Sequence, residues 1–305
     1  MNFARPAARR KTGLVRYAKP QSTDEALALL GEGAWRILAG GTDFYPALGA
    51  RPLSENVLDI NGLSELRGIG ETATHVVIGA RTSWTDIVKH SLPTSFDALK
   101  QAAREVGSVQ IQNTGTVAGN ICNASPAADG VPALLILDAE VEIASAAGRR
   151  HEALQNFIRG NRQTALAADE IVTAIRLPKT SLAGASSFYK LGARRYLVIS
   201  IAMAAVRIAV GDDGRVADAA IAVGACSAVA RRLGSLEREL VGQDFGSLAD
   251  LPLAEKHFVD LKPIDDVRGS ADYRCGAARE IVSRALVAAA ATIAGQVKPA
   301  KECAA

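Results

Sequence analysis

The sequence feature that most constrains this chain is the run from Gly107 to Asp129, GSVQIQNTGTVAGNICNASPAAD. Most of its residues are small or carry an amide, and no charge occurs before Asp129. Because Gly, Asn, Ser and Thr favour turns and caps, the run predicts neither a good helix nor a regular strand. Such a run lets backbone amides approach a ligand closely and form a concave anion site. We therefore expect a bulky anionic ligand here.

A second glycine pair lies upstream. The apolar run Trp35–Leu38 is followed by AGGTD at residues 39–43 and then by Phe44 and Tyr45. This order predicts a strand, a tight glycine turn and a short helix starting near Asp43, with amides free to face a phosphate. The spacing matches neither G-x-G-x-x-G nor the P-loop pattern. Two separate glycine loops suit a dinucleotide pyrophosphate that is held from two sides.

Composition bounds the function classes. The chain has 305 residues, which is enough for two or three compact domains. Its 35 basic and 32 acidic residues nearly balance and are spread along the chain, so we expect no dedicated nucleic-acid surface. The four cysteines and four histidines are scattered, which predicts no disulfide framework, iron–sulfur cluster, metal site or triad. The basic N-terminus lacks an apolar signal region and the most apolar stretch is too short for a bilayer, so we expect a soluble, cytoplasmic protein without membrane insertion.

The pattern along the chain predicts an α+β protein. Up to residue 62, short strands and a helix over Thr23–Leu30, capped by Ser22, predict a small α/β lobe. From 63 to 180, strands and helices mix without steady alternation, which favours an antiparallel sheet. Further along, a hairpin turn at Gly211–Arg215 precedes a helix over Tyr273–Ala294 whose apolar face suits packing on the hairpin. The predicted units are 1–180 (divided near 62), 181–295 and a tail at 296–305.

A set of six segments occurs in a fixed order: RILAGGTD at 36–43, QIQNTGTVAGN at 110–120, ASPAAD at 124–129, DEIV at 169–172, FYKL at 188–191 and ADYR at 271–274. The ordered set resembles the FAD-binding subunit of molybdenum hydroxylases, the medium subunit of the xanthine dehydrogenase and carbon monoxide dehydrogenase family. The resemblance covers nearly the whole chain. It implies a two-subdomain FAD-binding fold of the p-cresol methylhydroxylase type, with FAD between the subdomains, and a C-terminal domain of antiparallel sheet and helices.

The resemblance also implies which residues bind FAD. Ile37–Phe44 and Thr116–Asn120 would wrap the pyrophosphate through backbone amides, with side-chain contacts from Thr42 and Asn120. Asp129 would accept a hydrogen bond from an FAD hydroxyl, and Lys190 would lie nearest the flavin ring, where its charge favours the reduced anionic flavin. No residue is expected to be a proton-transfer catalyst. The expected cofactor-binding residues are Arg36, Ile37, Leu38, Ala39, Gly40, Gly41, Thr42, Asp43, Phe44, Val106, Thr114, Gly115, Thr116, Val117, Ala118, Gly119, Asn120, Asp129, Ile171, Val172 and Lys190.

Some positions depart from the family or allow a plainer interpretation. Gln112 stands where many relatives carry Arg, Ala118 where many carry Gly, and Val198 where part of the family has Asp. Each of the two aspartates, Asp43 and Asp129, precedes a predicted helix and could simply cap it. Cys122 is interpreted as a buried, inert cysteine rather than a redox group.

The function implied by the resemblance is shared among subunits. A large subunit carries the molybdenum-pterin cofactor and a small subunit carries two two-iron two-sulfur clusters, in an expected dimer of heterotrimers. FAD in this chain receives electrons and passes them to NAD or another acceptor. Two alternatives stay open: a self-contained FAD-dependent oxidoreductase, such as the reductase acting on UDP-N-acetylenolpyruvoylglucosamine, and a nucleotide-binding module without a redox role.

Overall fold

The computed structural model describes residues 14–296, except the side chains of 249 and 250. The basic residues before Leu14, as well as Cys303 and the predicted tail beyond Gln296, lie outside this range. The described chain combines parallel and antiparallel sheets with helices packed on them, which agrees with the predicted α+β class. Within this range, no helix has the length and apolar character that crossing a membrane requires.

The N-terminal lobe is a small parallel sheet with two helices. Its elements are β1 (Tyr17–Ala18), α1 (Thr23–Gly31), β2 (Trp35–Leu38), α2 (Phe44–Leu48) and β3 (Asn56–Asp59). The strand order is β1-β3-β2. Ser22 caps α1 by accepting a hydrogen bond from the Glu25 amide, as predicted. The glycine turn at 39–43 leaves the end of β2 and lies against the next lobe.

The middle lobe is built on an antiparallel sheet. Its strands are β4 (Ile69–Glu71), β5 (His75–Gly79), β6 (Glu140–Ser145), β7 (Gly148–Ala153), β8 (Ile158–Gly160), β9 (Gln163–Thr164) and β10 (Ile171–Pro178), and its helices are α3 (Trp84–Lys89), α4 (Asp97–Glu105), α5 (Val109–Thr114), α6 (Val117–Asn123), α7 (Gly130–Leu135) and α8 (Leu154–Phe157). Five strands pair in the order β4-β5-β10-β6-β7, and β8 pairs with β9. The antiparallel sheet matches the prediction. The sequence patterns miss β7 because its residues, GRRHEA, show no apolar alternation.

The run from 107 to 129 is partly helical, where the sequence predicts turns. Both α5 and α6 lie in it. The Thr116 hydroxyl caps α6 by accepting a hydrogen bond from the Gly119 amide at 3.1 Å. Val117 and Ile121 on α6 are fully buried. Because burial of two large apolar side chains outweighs the weak helix propensity of Gly and Asn, tertiary packing decides the conformation here.

The C-terminal domain is an antiparallel sheet covered by a long helix. Its elements are β11 (Ala185–Leu191), β12 (Ala202–Val210), β13 (Val216–Gly224), β14 (Arg231–Arg232), α9 (Gly234–Leu240) and α10 (Ala271–Gln296). The strands pair in chain order, and the predicted turn at 211–215 joins β12 to β13. The predicted apolar face of α10 is buried against the sheet, with contributions from Ala278, Val282, Leu286, Ala289 and Ile293.

Both faces of the C-terminal sheet are buried. Along β12, Ala204 and Val206 pack in the core beneath α10, whereas Met203 and Ala205 pack in the core of the middle lobe. Since successive side chains of a strand point to opposite faces, this strand is apolar almost throughout. The shared core holds the C-terminal domain against the middle lobe and brings the connection between β11 and β12 near the glycine loops.

The capping box of α3 yields a stability prediction. The Ser83 hydroxyl accepts a hydrogen bond from the Asp86 amide at 3.2 Å, and the Asp86 carboxylate accepts one from the Ser83 amide at 3.0 Å. Ser83→Ala removes the cap of a buried helix start, so we expect the free energy of unfolding to fall by about 1 kcal/mol. Urea denaturation measures this change, with the exposed Ser54→Ala as the control. An unchanged midpoint for Ser83→Ala would contradict the prediction.

Candidate functional site

The first glycine turn requires glycine at two positions for different reasons. Gly41 has a φ of +74°, a left-handed conformation that glycine adopts without strain. Gly40 needs its missing side chain for space, because a Cβ there would collide with the backbone carbonyl of Thr114. The two glycine loops of the sequence therefore touch each other through backbone atoms.

The first turn presents consecutive unpaired amides. Within the described chain, the backbone N–H groups of residues 40–43 donate to no protein acceptor, whereas those of Tyr45 and Ala47 bond to the carbonyls of Gly41 and Asp43 at 3.2 and 3.1 Å. Consecutive free amides in a turn form an anion-binding concavity. The Asp43 side chain makes no cap hydrogen bond to α2, so it does not act as the simple cap that the sequence allows.

The second loop offers fewer amides than expected. The amides of Val117 and Ala118 donate to carbonyls in the turn after β5, at 3.0 and 3.2 Å, and those of Gly119 and Asn120 donate to Thr116. Only the Thr116 amide of this segment lacks an acceptor among residues 14–296. The resemblance implies that the amides of residues 116–120 wrap a pyrophosphate, but in this structure only the Thr116 amide and the side chains of the segment are free to bind one.

Asn120 has a side-chain oxygen that could accept a hydrogen bond from a ligand. Its Oδ1 atom is buried and has no hydrogen-bond partner within the described chain. A buried acceptor without a donor is costly, and native proteins satisfy almost all such groups. The atom therefore calls for a donor from a bound molecule, such as a hydroxyl.

The two loops line one large cleft. Its volume is about 1190 Å³, above the roughly 300–1,000 Å³ of an ordinary small-molecule pocket and suited to a dinucleotide. Walls come from the N-terminal lobe, the middle lobe and residues 197–199 of the C-terminal domain. The expected site residues in this lining are Arg36, Ile37, Ala39, Gly40, Gly41, Thr42, Asp43, Phe44, Val106, Gly115, Thr116, Ala118, Gly119, Asn120, Ile171 and Val172.

Five expected site residues lie outside the cleft lining. Leu38 and Val117 are core side chains, with exposed fractions of 7% and 0%. The Thr114 hydroxyl donates to a carbonyl of its own helix, that of Gln110, at 3.2 Å. Asp129 and Lys190 pair with each other instead of facing the cleft. The structure therefore brings most of the expected residues together but assigns these five to other contacts.

The Asp129 carboxylate is shared by two partners. Lys190 Nζ lies 2.6 Å from its Oδ2, and the Ser200 hydroxyl donates to its Oδ1 at 2.6 Å. Burial raises the pKa of Asp129, and the Lys190 ammonium opposes that rise. Both carboxylate oxygens are thus used within the protein, and the lysine charge that the resemblance places by the flavin is offset. Asp129 also makes no side-chain cap bond to α7.

The cleft contains side chains that the sequence patterns do not indicate. These include Trp84, Arg162, Leu197 and Ile199. No motif marks them, because they come from separate elements that only the fold brings together. Glu170 also lines the cleft and lies inside the DEIV segment, where Arg150 holds its carboxylate through two bonds of 2.8 Å.

The departures from the family pattern occupy ordinary environments. Gln112 lies outside the cleft lining and donates to the Arg104 carbonyl at 2.8 Å. Ala118 lines the cleft from within α6, whose backbone accommodates a Cβ, and Val198 lines the cleft near Gly192. Cys122 is half-buried and lines the cleft, so it is less buried than expected, but desolvation raises the pKa of its thiol to about 12 and keeps it protonated at neutral pH. Residues 14–296 contain no group of His, Cys, Asp and Glu placed to hold a metal ion.

A second cavity of about 580 Å³ adjoins the cleft. Ala127, Arg162 and Ile199 line both spaces, so they form the boundary between them.

The lining of the second cavity is rich in charged side chains. Hydrogen bonds from the Arg268 amide and from the Arg274 and Arg268 guanidiniums lower the pKa of Asp266 to about 2. Arg274 Nε is buried without a partner in the described chain. Cations outnumber carboxylates in the lining: Arg162, Arg231, Lys262, Arg268 and Arg274 against Asp260 and Asp266.

Two family descriptions match this chain along most of its length. Residues 11–180 match the FAD binding domain in molybdopterin dehydrogenase, and residues 187–289 match the CO dehydrogenase flavoprotein C-terminal domain.

Known proteins of the same kind are similar over almost their whole length. The glyceraldehyde dehydrogenase medium chain of Sulfolobus acidocaldarius is 33% identical, over 87% of this chain and 93% of its own. The carbon monoxide dehydrogenase medium chain of Hydrogenophaga pseudoflava is 30% identical, over 90% of this chain and 96% of its own. A solved structure of reconstituted CO dehydrogenase from Oligotropha carboxidovorans superposes with a TM-score of 0.83 at 28% identity, covering 92% of this chain and 98% of that one.

Proposed function

The chain belongs to the FAD-binding medium subunits of the molybdenum hydroxylase family, and from this membership we propose that it takes electrons from iron–sulfur clusters of a partner subunit onto FAD and passes them to NAD or another acceptor. The observation that carries the proposal is the two-loop cleft, which is lined both by residues 40–43 with their free amides and by Asn120, whose Oδ1 has no partner within the described chain. FAD supplies the electron-carrying chemistry when bound, and the protein supplies its position and surroundings.

The residues present fit the parts of FAD. Free amides at 40–43 would bind the pyrophosphate, together with the free amide of Thr116. Asn120 Oδ1 would accept a hydrogen bond from an FAD hydroxyl or ring N–H. Apolar walls from Ile171 and Val172 would exclude water from the rings. The sixteen lining residues named above remain the proposed contacts, and direct contacts from Asp129 and Lys190 are less favoured because these two are engaged with each other.

The partners are proposed from the family resemblance. A large molybdenum-cofactor subunit would oxidise the substrate, and a small subunit with two two-iron two-sulfur clusters would deliver the electrons, in a dimer of heterotrimers located in the cytoplasm. The relatives' names refer to glyceraldehyde and carbon monoxide, so membership in the family does not select one substrate.

The second cavity suits an anionic electron acceptor. It shares Arg162 and Ile199 with the cleft, and its lining has five cations against two carboxylates. An excess of positive charge in a concave site attracts anions such as the pyrophosphate of NAD. This favours NAD over a neutral acceptor. Anaerobic NADH should then bleach the flavin band of the FAD-loaded chain, and no bleaching would favour another acceptor.

Co-purification with partner chains tests the proposed function. We expect the native protein to show flavin absorption bands at roughly 370 and 450 nm, supplied by the cofactor, and to be isolated with partner chains that contain iron and molybdenum. Flavin without partners or metals would favour the self-contained oxidoreductase. A flavin-free chain that binds nucleotides would favour the non-redox module.

A variant of Asn120 tests the cleft itself. Asn120→Ala removes an acceptor that the protein leaves unpaired, so we expect FAD affinity to fall about tenfold, the equivalent of one hydrogen bond. Fluorescence titration of the FAD-free protein measures the dissociation constant. Asn113→Ala is the matched control, because Asn113 belongs to the same run but its Oδ1 accepts a hydrogen bond from Thr85 outside the cleft lining. Equal affinities for both variants would contradict the assignment of Asn120.

A further inference from the structure

The connection between β11 and β12, residues 192–200, forms a wall of both cavities. Leu197 and Val198 line the cleft, Ser200 lines the second cavity, and Ile199 lines both. Most of this loop is exposed, including the large side chains of Tyr196, Leu197 and Ile199, at 65%, 54% and 53%. Little packing therefore holds the wall in place.

Within the described part of the chain, one hydrogen bond attaches this loop to the rest of the protein. Arg194 donates to the Leu197 carbonyl at 2.6 Å, but that bond is internal to the loop. Among residues 14–296, the bond from Ser200 to Asp129 is the only one that joins residues 192–200 to another part of the chain. Strand pairing begins just outside the loop, where Leu191 faces Ala202.

Both ends of the loop meet at the same carboxylate. Lys190 lies two residues before the loop and contacts Asp129 Oδ2, while Ser200 ends the loop and contacts Oδ1, each at 2.6 Å. Asp129 and Ser200 are buried, only 5% of the Lys190 side chain is exposed, and Lys190 Nζ also donates to the Glu105 carbonyl at 3.2 Å. Asp129 precedes α7 in the middle lobe, so the contacts cross from one domain to the other.

We propose that Asp129 is a positioning residue that holds the two ends of the loop 192–200 together through its contacts with Lys190 and Ser200. We call this pair of contacts the clip. The clip keeps residues 197–199 in place as the wall between the cleft and the second cavity. Its effect on FAD is indirect, through the position of residues 197–199. That consequence rests on the proposed FAD site, whereas the clip itself does not.

Limited trypsin digestion tests the clip without any cofactor. Arg194 and Arg195 are exposed cleavage sites in the loop. Ser200→Ala removes a hydrogen bond to a charged group, so we expect cleavage at these sites to become about tenfold faster, since proteolysis follows the population of the opened loop. Ser187→Ala is the matched control, a buried β11 serine whose hydroxyl donates to Gln101 instead.

Asp129→Asn provides a second variant, which should also accelerate cleavage because it removes the charge that pairs with Lys190 and strengthens the hydrogen bond from Ser200. Wild-type cleavage rates at Arg194 and Arg195 in Ser200→Ala would overturn the proposal. Equal acceleration by Ser187→Ala would also overturn it, because a general loosening of the domain would then explain the result.

Acrylamide quenching of bound flavin tests the consequence for the wall. With FAD content measured separately, we expect the Ser200→Ala holoprotein to show a quenching constant about twice that of the wild type or more, because the opened wall admits the quencher. Absence of FAD in the wild-type protein would contradict the proposed function, but the digestion result would still decide whether Asp129 holds the loop. Normal FAD content with unchanged quenching would contradict the role of the clip at the wall.

Discussion

Gly40→Ala is expected to abolish stable FAD loading. The new Cβ would lie 2.9 Å from the Gly115 Cα and would collide with the Thr114 carbonyl, and neither is a side chain that can rotate away. The two glycine loops would have to separate, which displaces the free amides of residues 40–43 from Asn120. We expect the free energy of unfolding to fall by about 3 kcal/mol, and FAD affinity to fall at least roughly 100-fold.

Gly31→Ala is the control for this prediction. Gly31 ends α1 in the same lobe, and a Cβ there meets no atom within 4 Å. It should leave FAD binding unchanged and slightly stabilise the helix. Isothermal titration with FAD and urea denaturation measure the two quantities. A Gly40→Ala protein with wild-type FAD affinity would show that the loops do not need to touch.

Lys190→Met is expected to cause a large loss of stability. It leaves Asp129 buried without its cation, with the Ser200 hydroxyl as its remaining side-chain partner, and only 8% of the Asp129 side chain is exposed. Removing one partner of a buried ion pair typically costs about 3–5 kcal/mol because the other charge is left uncompensated. The exposed pair Lys179–Glu71 provides the control, since Lys179→Met should cost roughly 0–1 kcal/mol.

The loss should depend on pH in a definite direction. Without Lys190, burial is opposed only by the hydrogen bond from Ser200, so the folded-state pKa of Asp129 rises further above the unfolded value. Between these two pKa values the folded state binds more protons than the unfolded state, so stability falls as pH rises. The difference from the wild type should therefore be greatest at neutral pH and shrink towards about pH 4. The double variant Lys190→Met, Asp129→Asn should recover most of the loss at pH 7, and a pH-independent loss would contradict this explanation.

Local sequence patterns identified much of the fold. The predicted strand Trp35–Leu38 is observed with those bounds, the predicted turn at 211–215 joins two strands, and the predicted apolar face on α10 packs on the C-terminal sheet. These predictions succeed because period-2 and period-3.6 patterns record which face of an element is buried. The edge strand β7, GRRHEA, is polar and has no apolar alternation, so this kind of pattern does not predict it.

The sequence alone determined the α+β class and the glycine turns, because glycine content and apolar periodicity are local properties, and the family resemblance indicated sixteen of the residues that line the cleft. Only the tertiary structure decided that part of the run from 107 to 129 is helical, since burial of Val117 and Ile121 outweighs propensity. It also decided that Lys190 neutralises Asp129 and that Ser200 joins them. Those three residues are distant along the chain and meet only because the C-terminal sheet shares a core with the middle lobe.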